Sequence, residues 1–422
     1  MMRNKLAMAV AVLALAAPVI AQDAAAPLPA LPGGAHWAAE VPARWNGTLL
    51  VWSRGYSNRA GQPESAPAAL RGELLARGYA LAGSDYGSGG WALEQAVPAQ
   101  GQAIAAFTET HGKPKRVIAW GNSMGGLVTV ALAEQKAPRI DGGIAFCSSI
   151  GGSVGMMNMA LDGAYAFRML VAPGAGILLT GITDDRVNGE KVSTALAAAM
   201  KMPEGRARVA LAAVLAGVPG WSSAGKSAPA DGDAEAQVDE MARAFVMGVF
   251  LPRGDQEART GVGYSWNTGI DYRRQLQLSG RRGLVEALYR KAGISLDSDL
   301  AQLNAGPRIS AMAKSVNYMK ANYAPTASPS VPLLAVQAVG DGATSPSMQR
   351  GYAEAVANKR NFASLWLNQA GHCTFTAKQV WASIAYLEKR LDSGKWGDRP
   401  EGFIAHQPAP MLRPCWRSRS CR

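Results

Sequence analysis

Apolar and polar positions alternate between two rhythms along this chain. TLLVWSRG at 48–55, RVIAW at 116–120 and GGIAFCSS at 142–149 are short apolar runs of strand length, and AHWAAEVP at 35–42 is a weaker one. Helical spacing lies between them, in AALRGELLARG at 68–78, closed by Gly78, and in AQGQAIAAFTETHG at 99–112, closed by Gly112. YALAGSDYGSGG at 79–90 predicts a strand running into a glycine-rich loop. The middle, about 152–327, loses this alternation and predicts a series of helices separated by Pro/Gly/Ser-rich pieces such as GVPGWSSAGKSAPADGD. The alternation resumes with VPLLAVQAVGD at 331–341, a helix from about Ser347, a strand ASLWLNQAGH at 363–372 and a helix over 378–391. Strands separated by helices of this length predict an α/β fold with a mainly parallel sheet covered on both faces. The helical stretch predicts an insertion over the carboxyl edge of that sheet, where open α/β sheets bind ligands.

The first 21 residues stand apart. Arg3 and Lys5 precede the apolar run LAMAVAVLALAAPVIA, and Val19 and Ala21 suit signal cleavage before Gln22. A signal peptide over 1–21 and a linker over 22–34 are expected, and with them a secreted or periplasmic protein. After it, no run of eighteen apolar residues predicts a membrane span. The formal charge of the 422-residue chain is +12, and cleavage would lower it by two. Much of the remainder sits in a Pro- and Arg-rich tail over 396–422 with no periodicity. No basic stripe interleaved with aromatics accompanies it, so nucleic acid is not an expected partner. Four cysteines, Cys147, Cys373, Cys415 and Cys421, lack metal-ligand spacing and permit three full pairings. Export makes disulfides chemically accessible, and buried free thiols are the alternative for Cys147 and Cys373.

The chemistry concentrates at VIAWGNSMGGLVTV, 117–130. A strand runs into Gly121-Asn122-Ser123-Met124-Gly125 and then straight into a helix. A serine hydroxyl needs a base to take its proton, and a sharp strand-to-helix turn exposes it to substrate. The Gly-x-Ser-x-Gly pattern is weak alone in a chain with 47 glycines, and it recurs as Gly151-Gly152-Ser153-Val154-Gly155. Ser153 lies beyond the end of its strand and reads as a flexible lead-in to the helical insertion. Of four histidines, His36, His111 and His406 read as surface residues; His372 alone ends a late strand. Asp341 ends the preceding strand and starts the turn DGATSP, in the place of the acid that would orient an imidazole.

The order Ser123, Asp341, His372 and its setting resemble the α/β-hydrolase superfamily. The resemblance covers 35–151 and 328–395 and leaves the 152–327 insertion out. It implies an α/β-hydrolase fold with an eight-stranded, mostly parallel sheet, Ser123 after the fifth strand, Asp341 after the seventh and His372 after the eighth. It also implies an oxyanion hole from the N–H of Met124 and one from Gly55 or Tyr56, in a loop where Arg54 replaces a histidine common among relatives. Gly371-His372-Cys373 is similar to tannase and feruloyl-esterase relatives, but Asn122 stands where their second cysteine would be. A Cys147–Cys373 bond is an alternative, since both lie near predicted strand ends. Tyr86 and Trp91, in DYGSGGWAL, are candidates to line the substrate pocket; the methionines at 156–159 are expected to pack the insertion and are candidates for an acyl pocket.

The expected function is a secreted serine hydrolase acting on a small-molecule or polymeric carboxylic ester, with no cofactor and no metal. Amide cleavage by the same triad is the first rival, and a non-catalytic binding protein on the same scaffold is the second. A dinucleotide-binding oxidoreductase is weaker, because no GxGxxG follows the first strand.

Overall fold

The computed structural model describes residues 29–421 except 251 and 262, so the expected signal peptide and most of the linker lie outside the described residues. The chain opens with β1 (Trp37–Glu40), β2 (Thr48–Ser53), α1 (Ala68–Ala76), β3 (Ala80–Ser84), α2 (Leu93–His111), β4 (Arg116–Asn122), α3 (Met124–Glu134) and β5 (Gly142–Phe146). Nine helices follow among the described residues: α4 (Gly152–Leu170), α5 (Asp185–Ala199), α6 (Pro203–Leu215), α7 (Ala234–Val249), α8 (Gly254–Thr260), α9 (Tyr272–Leu278), α10 (Arg282–Ala292), α11 (Leu296–Ala305) and α12 (Ala313–Tyr323). The sheet then resumes with β6 (Leu333–Gly340), α13 (Pro346–Ala355), β7 (Phe362–Ala370) and α14 (Ala377–Ser393).

The strands form one sheet of order β1-β3-β2-β4-β5-β6-β7, parallel throughout except for antiparallel β1 at the edge. Seven strands replace the eight expected. The chain turns from β1 directly into β2, and the segment before β1 makes only a single bridge, Ala30 to His36, so no further strand precedes it among the described residues. Ser123 therefore follows the fourth strand, Asp341 the sixth and His372 the seventh.

The pleat divides the core. Leu49, Val51, Val117 and Ala119 face one side, under Phe107 of α2 and Leu127 of α3. Leu50, Trp52, Ile118 and Trp120 face the other, against Leu74 of α1 and Leu387 of α14. Each fully buried Leu, Val or Ile among them contributes roughly 1.5–3 kcal/mol, and burial on both faces explains why the runs are continuously apolar. A separate core joins α4, α6, α7 and α10 through Phe167, Leu211, Phe245 and Leu288. Helix α2 starts six residues before its predicted onset and carries Pro98 inside it. Burial of Leu93, Ala96 and Ala99 outweighs the one backbone bond that Pro98 forgoes.

The tail is not loose. Met411, Leu412, Arg413, Cys415 and Trp416 are buried, and Trp416 packs edge-on to Tyr352 with ring centroids 5.9 Å apart. Arg413 Nη1 donates to Asp162 Oδ2 at 2.7 Å, both side chains being closed to solvent. An irregular strap that packs by tertiary contact leaves no period in its sequence, which is why it read as a tail. Cys415 is bonded to Cys421 within it. No helix among the described residues is long and apolar enough to cross a membrane.

Candidate active site

Strand β4 delivers Ser123 into a turn with φ 57° and ψ −120°, a region that non-glycine residues rarely occupy. Two glycines make the turn sterically feasible. A Cβ on Gly121 would stand 2.5 Å from Gly125 O and 2.6 Å from Ser53 O. One on Gly125 would stand 2.0 Å from Ser53 O and 2.4 Å from Arg54 O. Ser123 N donates to Phe146 O at 3.0 Å, and its own carbonyl accepts from Ser149 N at 3.2 Å, so β5 and the loop after it hold the turn from the side.

The loops after β6 and β7 bring the other two residues to this serine. His372 Nε2 is 3.0 Å from Ser123 Oγ, and His372 Nδ1 is 2.9 Å from Asp341 Oδ2. Asp341 is fully buried and acceptor-saturated. Its Oδ1 takes the N–H groups of Ala343 and Thr344 at 2.9 and 3.0 Å, and Gln337 Nε2 donates to Oδ2 at 3.1 Å. An acceptor-only carboxylate on Nδ1 fixes the imidazole with its Nδ1 proton toward Asp341 and Nε2 free to accept from the serine. Sequence reading missed Thr344 and Gln337. Thr344 Oγ1 lies 2.9 Å from both Asp341 Oδ2 and Cys147 O, tying the acid's turn to the end of β5. Its position three residues after the Asp of an Asp-Gly turn was the available signal.

Cys147 and Cys373 are bonded to each other, which settles the open alternative against free thiols. The bond joins the loop after β5 to the residue following His372, and both cysteines have positive φ, 39° and 58°. Among the described residues, Cys147, His372 and Cys373 form the one cluster of metal-ligand atoms, but the two sulfurs are covalently linked to each other and are not thiolate ligands.

Met124 is the first residue of α3, so its N–H has no acceptor within the helix and points to the serine end. Gly55 stands against the serine; a Cβ there would meet Ser123 Cβ at 3.5 Å. Arg54 turns away and braces the loop, donating to the carbonyls of Gly55, Asp85 and Ser88 at 3.1, 3.0 and 2.8 Å.

A cavity of about 440 Å³ opens over Ser123 and His372. Gly55, Tyr56 and Trp91 line it from the sheet side, and Met156, Met247 and Pro252 from the helical block. Trp91 is thus placed as expected, and Met156 both packs and lines. Tyr86 is not a lining residue. It lies behind the loop, 2% exposed, with its hydroxyl donating to Arg54 O at 3.0 Å and the Arg54 guanidinium 4.5 Å above its ring. Its position at the start of a glycine-rich loop gave no sign of that inward turn. Ser153 is equally structural: it is fully buried in the first turn of α4, not in a flexible segment, and its hydroxyl accepts from Trp91 Nε1. The other histidines stand apart from the cavity. His36 pairs with Asp85 at 3.1 Å, His111 packs on Phe107, and His406 packs on Trp366.

No family model matches the chain. An o-phthalyl amidase from Xanthobacter agilis is 29% identical over 400 residues, covering 87% of this chain and 87% of its own length. Candida antarctica lipase A, among solved structures, is 14% identical, covers 89% of this chain and 76% of its own, and superposes with a TM-score of 0.40. A proline iminopeptidase from Mycobacterium smegmatis is 12% identical, covers 86% and 98%, and has a TM-score of 0.40.

Proposed function

We propose that the chain is an α/β-hydrolase, an exported serine hydrolase that cleaves carboxylic esters through an acyl-enzyme. The observation that carries the reading is the continuous relay of 3.0 and 2.9 Å from Ser123 through His372 to Asp341, at the floor of a cavity. Ser123 Oγ attacks the acyl carbonyl as His372 Nε2 takes its proton. The N–H of Met124 and one from the Gly55–Tyr56 loop receive the oxyanion. His372 then returns the proton to the departing alcohol, and a water activated by the same nitrogen releases the acid and restores Ser123. Asp341 stabilises the imidazolium in both halves. Two bonded cysteine pairs suit an oxidising compartment and agree with export.

Intact-mass spectrometry after incubation with a fluorophosphonate tests the nucleophile. A single adduct is expected on the wild type and none on Ser123→Ala. No adduct on either chain would favour the binding-protein reading.

Amide cleavage by the same groups is the second reading, and the amidase relative favours it. Matched ester and amide substrates, o-phthalyl amides included, separate the two by their kcat/KM values. An ester advantage no larger than the intrinsic reactivity difference would assign the enzyme to amides.

A further inference from the structure

Arg54 and Arg253 adjoin lining residues of the cavity over Ser123 in the chain, and Arg259 shares α8 with another, Gln256; each of the three is committed to other groups. Arg54 serves three backbone carbonyls. Arg253, 4% exposed, donates to Ser265 Oγ at 2.8 Å and Met157 O at 3.0 Å and lies 3.6 Å from Glu257. Arg259 is held by Asp255 at 2.9 Å, Gln95 at 3.1 Å and Gly89 O at 2.9 Å. None of the three lines the cavity. Its described lining holds two titratable groups, Tyr56 and His372.

The remaining surface is of two kinds. Trp91, Met156, Pro252 and Ala343 present apolar area, and Met247 closes the mouth at 58% exposure. Three neutral polar side chains, Tyr56, Asn122 and Ser149, also line the cavity and carry no side-chain hydrogen bond among the described residues. Ser149 is 2% exposed, so its hydroxyl has little water to turn to. Burial, then Asp255, then Asp185, push the Tyr56 hydroxyl above its ordinary range. The phenol therefore keeps its proton and serves as a donor.

From this we infer that the enzyme selects an uncharged, mainly apolar acyl group and rejects one that carries a second ionised carboxylate. A carboxylate entering this cavity would lose its water and meet no lysine or arginine among the described lining residues to replace it. An uncharged ring or chain would be accepted by the Trp91 face and the methionine thioethers, with neutral hydrogen bonds from Tyr56, Asn122 and Ser149. The inference rests on the serine-hydrolase reading above.

Two p-nitrophenyl esters that share one ring test it: phenylacetate and the same acyl group bearing a para carboxylate. The purified full-length protein is expected to prefer the uncharged ester in kcat/KM by at least about a hundredfold. Equal or better use of the carboxylated ester overturns the inference. Failure to turn over either ester while a fluorophosphonate still labels Ser123 also overturns it, and leaves the hydrolase standing. Failure of labelling as well removes the hydrolase reading itself, and the inference with it. Met247→Arg places a cation at the cavity mouth on an exposed position and should shift the ratio at least about tenfold toward the carboxylated ester. An unchanged ratio would mean that the acyl group lies outside this cavity, and would overturn the inference as well.

Discussion

At Ser123 the backbone is held where an L-residue is strained, at a cost of order 1–3 kcal/mol. What holds it is close packing of backbone on backbone around Gly121 and Gly125. The atoms that a Cβ on Gly125 would meet are main-chain carbonyls of Ser53 and Arg54, and those residues lead directly into the Gly55–Tyr56 loop. They cannot swing aside as the end of a long side chain can. Gly125→Ala is therefore expected to lower kcat by at least about a hundredfold and stability by about 1–3 kcal/mol. Turnover and urea denaturation of the purified variant check both, and a variant of wild-type activity would show that the loop has slack.

At the scale of elements, three loops converge on the serine, and one covalent bond ties two of them. Cys147 ends the run after β5 and Cys373 sits beside the base after β7. Replacing both by serine should cost about 2–5 kcal/mol and should lower kcat more than KM changes, because the imidazole loses its anchor rather than its pocket. Thermal melts and steady-state kinetics on the double variant measure the two effects; loss of stability with kcat intact would confine the bond to a structural role. This level was also the most legible in the sequence. Strands β2, β4, β5 and β6 are buried on both faces and edge strand β7 is buried through Leu365–Leu367, so their apolar runs are dense, and residues at their carboxyl ends inherit a place along one edge. That geometry singled out Asp341 and His372. The same logic failed for Tyr86, though not for Trp91. Both follow β3 in a glycine-rich loop, and which ring turns inward under Arg54 is decided by contacts with distant chain. The sheet has one strand fewer than expected for a related reason: family likeness supplied the number eight, while the described residues before β1, PALPGGAH at 29–36, carry no apolar run of strand length.

Over the whole molecule, the C-terminal strap and the helical block are joined by one buried ion pair. Burial pushes the Asp162 carboxyl from its ordinary 3.8 up to about 6, against the pull of Arg413. The folded state thus binds that proton more tightly than the unfolded chain does, so the stability this group contributes is full below about pH 4 and falls as pH rises through about 6. Arg413→Leu removes the opposing cation and leaves a carboxylate sealed among Tyr272 and the helix. A deficit of roughly 3–5 kcal/mol is expected near neutral pH, shrinking as pH falls toward about 6, because without the pull of Arg413 the Asp162 carboxyl takes its proton at a higher pH than in the wild type. Chemical denaturation at pH 5 and pH 8 reads this directly, and an equal deficit at both would assign the loss to packing alone. None of this was visible in the linear pattern, where Arg413 counted only as one more positive charge in a basic stretch.

The Cys147–Cys373 bond brackets nearly the whole of the helical block, since the chain leaves the sheet after the first cysteine and returns before the second. Lys226 lies in an exposed loop between α6 and α7. A single tryptic cut there would part the polypeptide into two stretches, each holding one half of the cross-link, while Cys415 and Cys421 stay together on the second. The nicked protein should run as one band without reductant and as two of comparable size with it. A protease in the surroundings could therefore sever the main chain of this molecule and still leave serine, acid and histidine in one covalent body.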